Sequence, residues 1–283
     1  MTNDALVLAG GGVAGIAWEI GVLHGLEEAE PAAAAPILDE GTVLVGTSAG
    51  SVVAAQIGGG TSLAALFEAQ LAPESAELSV EFDAAAFMAT MAAALDGAAS
   101  AQEGRQRLGR VAREASTVPF GKRRGIIQAR LPTHGWPSRR VLITAVDTES
   151  GELRVFDGDS GVPLIDAVAA SCAVPGVWPT VEINGRHYMD GGTRSLANAD
   201  LAAGAERVLI LVPAPATLPH GPALAQFELE ALAPARIHMV FADSDSIAAF
   251  GSNPLAPEVR RPAALAGRAL EHRIAADVAA FWG

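Results

Sequence analysis

Ser48 stands in Gly46-Thr47-Ser48-Ala49-Gly50, a G-x-S-x-G segment that follows the apolar run Val43-Leu44-Val45 and precedes an apolar, small-residue stretch from Val52 to Ile57. That order reads as strand, sharp turn, helix, the context in which a serine is presented as a nucleophile on an elbow. A serine on so tight a turn takes strained backbone angles, and neighbours without Cβ let the following helix pack on the strand. The helix that begins just after Ser48 directs its positive end at the serine oxygen, which favours negative charge developing there. The alternative is a Gly/Ser-rich turn at a strand end with no chemistry, and the motif alone does not exclude it.

Two further stretches carry chemistry. Gly10-Gly11-Gly12-Val13-Ala14-Gly15 follows the apolar run Ala5–Ala9 and opens a segment in which Ile16, Ile20, Leu23 and Leu26 recur at helical spacing. Its G-x-G-x-x-G pattern admits a dinucleotide fingerprint, but that unit needs a second strand ending in an acid about 20 residues on, and the next strand ends in Gly46-Thr47-Ser48. The other reading is an oxyanion loop, with consecutive glycines exposing backbone N–H groups at a helix N-terminus. Asp190-Gly191-Gly192 closes an apolar strand, where the carboxylate can be held toward a cleft; a structural Asp in a turn is its alternative.

A serine hydroxyl is a poor nucleophile unless a neighbour takes its proton. An α/β-hydrolase supplies that neighbour as a histidine after an aspartate, and His220, His238 and His272 lie downstream in that order. The glycine loop and elbow, however, occupy the first two strands, earlier than that layout would place them. Asp190 is the other candidate base. Cys172 reads as a small buried hydrophobe.

The elements that position these residues follow from pattern. Pro31–Pro36 reads as an alanine-rich linker, and Gly58-Gly59-Gly60 stops the helix after the elbow. Residues 61–118 read as helical throughout, with Leu63, Leu66, Phe67 and Leu71 on one face and Phe87, Met88, Met91 and Leu95 on another. These faces either pack helix on helix or line an acyl-chain groove. Lys122-Arg123-Arg124 reads as a solvated turn, with a phosphate-headgroup contact as the other possibility. Residues 141–147 form a strand with a partner in 151–156, and Asp166–Cys172 forms a small-residue helix before the rigid loop Ala173–Pro179. Val181–Ile183 and Arg186–Met189 flank Asn184-Gly185 as a hairpin. Val208–Val212 and Ile237–Phe241 are further buried strands, and Leu265, Leu270, Ile274, Val278 and Phe281 mark a C-terminal amphipathic helix. Strand–helix alternation implies a layered α/β domain with a mostly parallel sheet.

Composition narrows the partners. The chain has 283 residues, is 50% apolar and 18% charged, and carries a net charge of −13, with Lys122 its only lysine. It can bury a large core. An acidic chain without a basic stripe argues against nucleic acid and against strong electrostatic docking on anionic membranes. A single cysteine fits a reducing compartment. The acidic start Met1-Thr2-Asn3-Asp4 is unlike a secretory signal, and no apolar run approaches the ~18–20 residues of a membrane span; the expected location is the cytoplasm.

Gly10-Gly11-Gly12-Val13-Ala14-Gly15, Gly46-Thr47-Ser48-Ala49-Gly50 and Asp190-Gly191-Gly192 together resemble, in order, the three signatures of the patatin-like phospholipase family. The segment Ala170–Gly176 resembles the family's small-residue stretch before its Asp-Gly-Gly. The resemblance spans roughly residues 5–215. It implies a three-layer α/β/α fold with a mostly parallel central sheet, a Ser–Asp dyad without histidine, and hydrolysis of acyl esters, usually of lipids. Ser48 would be nucleophile, Asp190 proton acceptor, and the Gly11 and Gly12 amides the oxyanion hole. No metal or cofactor is implied. The partner would be a lipid or ester substrate met in transit at a membrane or micelle surface. Under this reading residues 1–283 form one domain, with a helical cap insertion over 61–139 and a helical extension over 255–283. A catalytically silent binding or regulatory member is the alternative from another class, and the intact serine, glycines and aspartate argue against it. One departure stands out: the family often carries Arg or Lys where this chain has Ala14. Backbone amides do not need that side chain, so the oxyanion loop is expected to survive.

Overall fold

The computed structural model describes residues 3–219 and 221–283. Met1, Thr2 and the candidate base His220 lie outside the described residues.

The chain begins with β1 (Asp4–Leu8), α1 (Gly12–Ala29), α2 (Pro31–Leu38), β2 (Val43–Thr47) and α3 (Ala49–Gly58). Four helices follow: α4 (Leu63–Leu71), α5 (Ala84–Leu95), α6 (Ala101–Glu114) and α7 (Phe120–Arg130). The middle section contributes β3 (Val141–Asp147), β4 (Leu153–Phe156), α8 (Leu164–Ser171), β5 (Val181–Ile183) and β6 (Arg186–Asp190). The last part runs β7 (Arg207–Val212), β8 (Thr217–Leu218), β9 (Gly221–Pro222), α9 (Gln226–Leu232), β10 (Arg236–Phe241), α10 (Ser244–Phe250), α11 (Arg260–Arg268) and α12 (Glu271–Trp282).

One sheet organises the molecule, in the order β10-β7-β1-β2-β3-β6-β5, with β4 also on β3. The five strands from β10 to β3 are parallel, and β4, β5 and β6 are antiparallel additions. Parallel strands need both faces covered, and alternation along β1 supplies both. Leu6 and Leu8 face a large core shared with α1, α3, α4, α8, α11 and α12. Ala5 and Val7 face a smaller core with Ala197, Ala202, Leu224 and Leu232, so the second covering layer is thinner. The result is a mostly parallel sheet flanked by helices.

The structure corrects four local expectations. The 31–36 segment is not a linker but helix α2, because Pro31 occupies the first turn, where a missing N–H costs nothing, and Ala33, Ala34 and Ile37 bury against the core. Residues 61–118 are not continuously helical. Residues 72–83 run outside helix, held by the bidentate Arg130–Glu77 pair at 2.6 Å and by the Asn253 amide on the Val80 carbonyl at 2.8 Å. A second break at 96–100 ends where the Ser100 hydroxyl caps α6. The basic cluster 122–124 is not a solvated turn: it lies in α7, with Arg123 buried and Arg124 paired to Asp166 at 2.6 Å. The C-terminal pattern is two helices rather than one. α11, with Leu265 exposed, packs on α1 through Ala263 and Ala264, and α12 covers α2 and also meets α1.

Candidate active site

Parallel strands β1 and β2 are neighbours, so the loops at their C-terminal ends, each opening a helix, lie side by side. The Gly50 amide ties them by donating to the Ala9 carbonyl at 3.1 Å. The approach is too close for any side chain: a Cβ on Gly50 would stand 2.0 Å from the Leu8 carbonyl oxygen. Ser48 between them has φ 53° and ψ −114°, the strained conformation of an elbow. Its amide donates to Ser171 Oγ at 2.8 Å, and its carbonyl accepts from Ser51 Oγ at 2.6 Å and Cys172 Sγ at 3.3 Å. Cys172 is a buried brace, and burial pushes its thiol pKa up, away from reactivity.

Asp190 reaches the same place by register. Thr47, the last residue of β2, pairs with Thr144 of β3, and Asp190, the last of β6, pairs with the next residue, Ala145. Ser48 and Asp190 are thus delivered to adjacent positions along one strand. A buried polar network locks the junction. The Thr47 and Thr144 hydroxyls meet at 2.9 Å, and the Asn198 carboxamide donates to Thr47 at 3.1 Å and to the Gly191 carbonyl at 3.3 Å. Gly191 packs so tightly on Thr144 that a Cβ there would lie 2.2 Å from its hydroxyl oxygen.

Asp190 is 5% exposed and Ser48 7%. Burial pushes the Asp190 carboxyl up to about 6, against the pull of the neighbouring Ser48 hydroxyl, the Gly192 amide and the Arg123 charge. The Gly192 amide donates to Asp190 Oδ1 at 2.7 Å. The Ser48 hydroxyl faces the same carboxyl and is the largest of the pulls back down.

In the glycine loop, Gly10 donates to the Leu196 carbonyl at 2.8 Å, Ala14 to Pro254 at 2.9 Å and Gly15 to Gly11 at 2.9 Å. Among the described residues, the amides of Gly11, Gly12 and Ala49 have no acceptor in the chain. Gly10, Gly11, Gly12, Ser48, Asp190 and Gly192 line one cleft of about 670 Å³, whose outer wall is apolar and includes Phe82, Phe87, Met88, Met91 and Leu95. Gly15, Gly46, Gly50 and Gly191 stand behind it as packing positions. Leu63, Leu66 and Phe67 instead belong to the main core.

The patatin-like phospholipase model matches residues 6–203. The chain belongs to that family. Patatin-like phospholipases are lipid acyl hydrolases, and all three motifs of the cleft fall within the matched span. No curated protein matches the chain. Among solved structures it is similar to VipD from Legionella pneumophila, at 11% identity and TM-score 0.46, over 97% of this chain and 67% of that one. It is also similar to the type III effector protein ExoU, at 19% identity and TM-score 0.44, over 98% of this chain and 53% of that one.

Other placements complete this patatin-like site. No described histidine lines the cleft: His238 lies on β10 against Phe281, and His272 is exposed on α12. Among the described residues no cluster of His, Cys, Asp and Glu is placed to hold a metal, and no helix is long and apolar enough to cross a membrane. Sequence reasoning misses Ser171, Thr144 and Asn198, which brace the elbow and the Asp190 turn. Only Asn198, in a left-handed conformation with φ 51°, belongs to a residue type enriched there, and in sequence it is one Asn among several.

Proposed function

We propose that the protein is a serine acyl-hydrolase acting on lipid or ester substrates, with Ser48 as nucleophile and Asp190 as the base. The observation that carries this reading is the meeting of Ser48, Asp190 and unused backbone amides at the floor of one apolar cleft. Ser48 Oγ attacks the acyl carbon as its proton passes to Asp190, whose raised pKa makes it a better acceptor than an ordinary aspartate. The carbonyl oxygen, now negative, takes the amides of Gly11 and Gly12, and the N-termini of α1 and α3 favour the charge. The intermediate collapses, the alcohol leaves with the proton from Asp190, and water activated by Asp190 then releases the acid from the acyl-serine. No histidine is required.

The helical region within 61–139 would act as a cap setting acyl length. Met88 and Leu95 are 42% and 51% exposed while lining the cleft, which suits brief contact with a membrane or micelle surface. The buried lone thiol fits a reducing, cytoplasmic setting.

The test is a fluorophosphonate probe on folded protein, with mass spectrometry to locate the label, beside a panel of p-nitrophenyl esters and phospholipids. Label on Ser48 and turnover that vanishes in Ser48→Ala are expected. Label elsewhere, or none, overturns the reading and favours a silent family member.

A further inference from the structure

A second, much smaller cavity lies against Ser48. Its volume is about 20 Å³, room for one water-sized oxygen. Gly12, Ser48, Ala49, Arg123, Arg130 and Trp178 are among its walls, and Asp190 is not. Two helix N-termini therefore border it, together with the unused amides of Gly12 and Ala49.

Arg123 is otherwise unaccounted for. It is 4% exposed, and burial is the main cause that pushes its pKa down to about 9, which leaves it charged at neutral pH. Its guanidinium stacks over Trp178, 3.8 Å from the ring centroid. Stacking satisfies the flat face of the group but not its N–H edge, and both Nε and Nη1 are buried without an acceptor. The nearby Glu77 gives both carboxylate oxygens to Arg130, so neither accepts from Arg123. A buried cation with an unpaired edge is strongly unfavourable unless something completes it. Here the edge borders an oxygen-sized space beside the elbow.

Given Ser48 as nucleophile, on which this inference rests, we propose that the small cavity receives the substrate's carbonyl oxygen and that Arg123 is a further catalytic residue, its free N–H edge meeting the oxyanion together with the Gly12 and Ala49 amides, so that Ala49 takes the place given above to Gly11, which does not line this cavity. As the bond from Ser48 Oγ to the acyl carbon forms, the carbonyl π pair moves onto that oxygen, and the serine proton goes to Asp190. Arg123 keeps its protons throughout and contributes charge alone. When the carbonyl re-forms, the ester C–O bond breaks and the leaving oxygen takes the proton from Asp190. A lipid phosphate does not compete for this place: the cavity is too small for one, and Arg123 is not a wall of the large cleft where a headgroup would lie.

Arg123→Met and Arg123→Lys test the assignment. On p-nitrophenyl butyrate, a neutral ester, Arg123→Met is expected to lose about 100-fold in kcat with KM changed less than about twofold, the effect of removing one oxyanion donor. Affinity for an alkyl trifluoromethyl ketone, which forms a tetrahedral oxyanion on the serine, should fall by the same factor. Arg123→Lys keeps the charge and should stay within about tenfold of wild type. Because Met replaces an unpaired buried charge, its melting temperature should equal or exceed that of wild type. Unchanged kcat, a loss seen only with phospholipids, or a variant that melts several degrees lower would each overturn the proposal; the last would make Arg123 a support for Trp178. Wild-type protein that takes no fluorophosphonate at Ser48 removes the underlying hydrolase reading instead, whereas a labelled, active wild type beside an unimpaired Arg123→Met removes only the role of Arg123.

Discussion

Asp190→Asn separates chemistry from folding, because the two should move in opposite directions. The carboxyl is raised from 3.8 to about 6 by burial, about 2 units, and each unit is worth about 1.36 kcal/mol between protonation states. Keeping Asp190 ionised in the folded protein therefore costs about 3 kcal/mol. The sign follows from the raised value. Below about pH 4 the carboxyl is protonated whether folded or unfolded and carries no penalty. Between about 4 and 6 the unfolded chain ionises first, so stability falls as pH rises, and above 6 the full penalty applies. Asparagine keeps an oxygen for the Gly192 amide and has no charge to desolvate. At about pH 8 the variant should be more stable than wild type by up to about 3 kcal/mol. With an unfolding entropy of about 2.1 cal/mol/K per residue, this is about 5 °C in melting temperature. At about pH 4 the difference should vanish. Over the same comparison kcat should drop by about 10²–10⁴, the span of general-base catalysis, while wild-type kcat/KM rises through about pH 6. Differential scanning calorimetry at both pH values, with ester hydrolysis at the higher one, checks both halves. A folded Asp190→Asn protein that keeps more than about a tenth of wild-type kcat refutes Asp190 as base. One that is destabilised equally at both pH values refutes the desolvation argument.

Three further outcomes are expected. His220→Asn, His238→Asn and His272→Asn, made singly, should each keep most of the wild-type kcat/KM; a loss in any one comparable to that of Ser48→Ala would restore a Ser–His enzyme. Met88→Ala should shift the preferred acyl length in an ester series and leave acetate esters nearly untouched, with little change in melting temperature because the side chain is 42% exposed; an equal loss at every length would return Met88 to ordinary packing. Gly50→Ala should destabilise by about 4 kcal/mol or more, seen as poor soluble yield or a melting point at least several degrees lower, since its Cβ meets the Leu8 backbone; a wild-type melting curve would contradict so close a contact between α3 and β1.

The parts of the site that are local in sequence are legible there, and the parts that depend on distant pairing are not. The elbow, the glycine loop and the Asp190 turn each combine a short apolar strand with glycines that only a close approach requires, so their type and order can be read directly. Family membership and the mostly parallel sheet follow from them. Asn198 and Thr144 cannot be found this way, because what distinguishes them is their meeting from parts of the chain 54 residues apart. Arg123 misleads for a related reason. Three consecutive basic residues look solvated, yet on α7 their side chains fan out around the helix. Arg123 is turned inward over Trp178, 55 residues away, while Arg124 faces Asp166. The 31–36 segment misleads because its two prolines outweigh the alanines between them, although a proline in the first helical turn is no obstacle.

The spacing between Ser48 and Asp190 is set by the sheet rather than by the loops that carry them. β2 and β6 register on consecutive residues of β3, and the Thr47–Thr144–Asn198 contacts fasten the two strand ends together beneath the cleft. Separating the pair would require breaking a ladder or emptying that buried network. The apolar wall is built differently. Phe87, Met88, Met91 and Leu95 come from α5, which packs on α6, and Met91 is only partly buried against the small core it shares with Leu108 and Met189. Movement of α5 would reshape the apolar wall of the cleft without altering the distance between Ser48 and Asp190. Strain at Ser48 and burial of the Asp190 charge are thus held by the most strongly determined part of the fold, and the acyl-length role proposed for the cap would fall on a helix with few buried side chains.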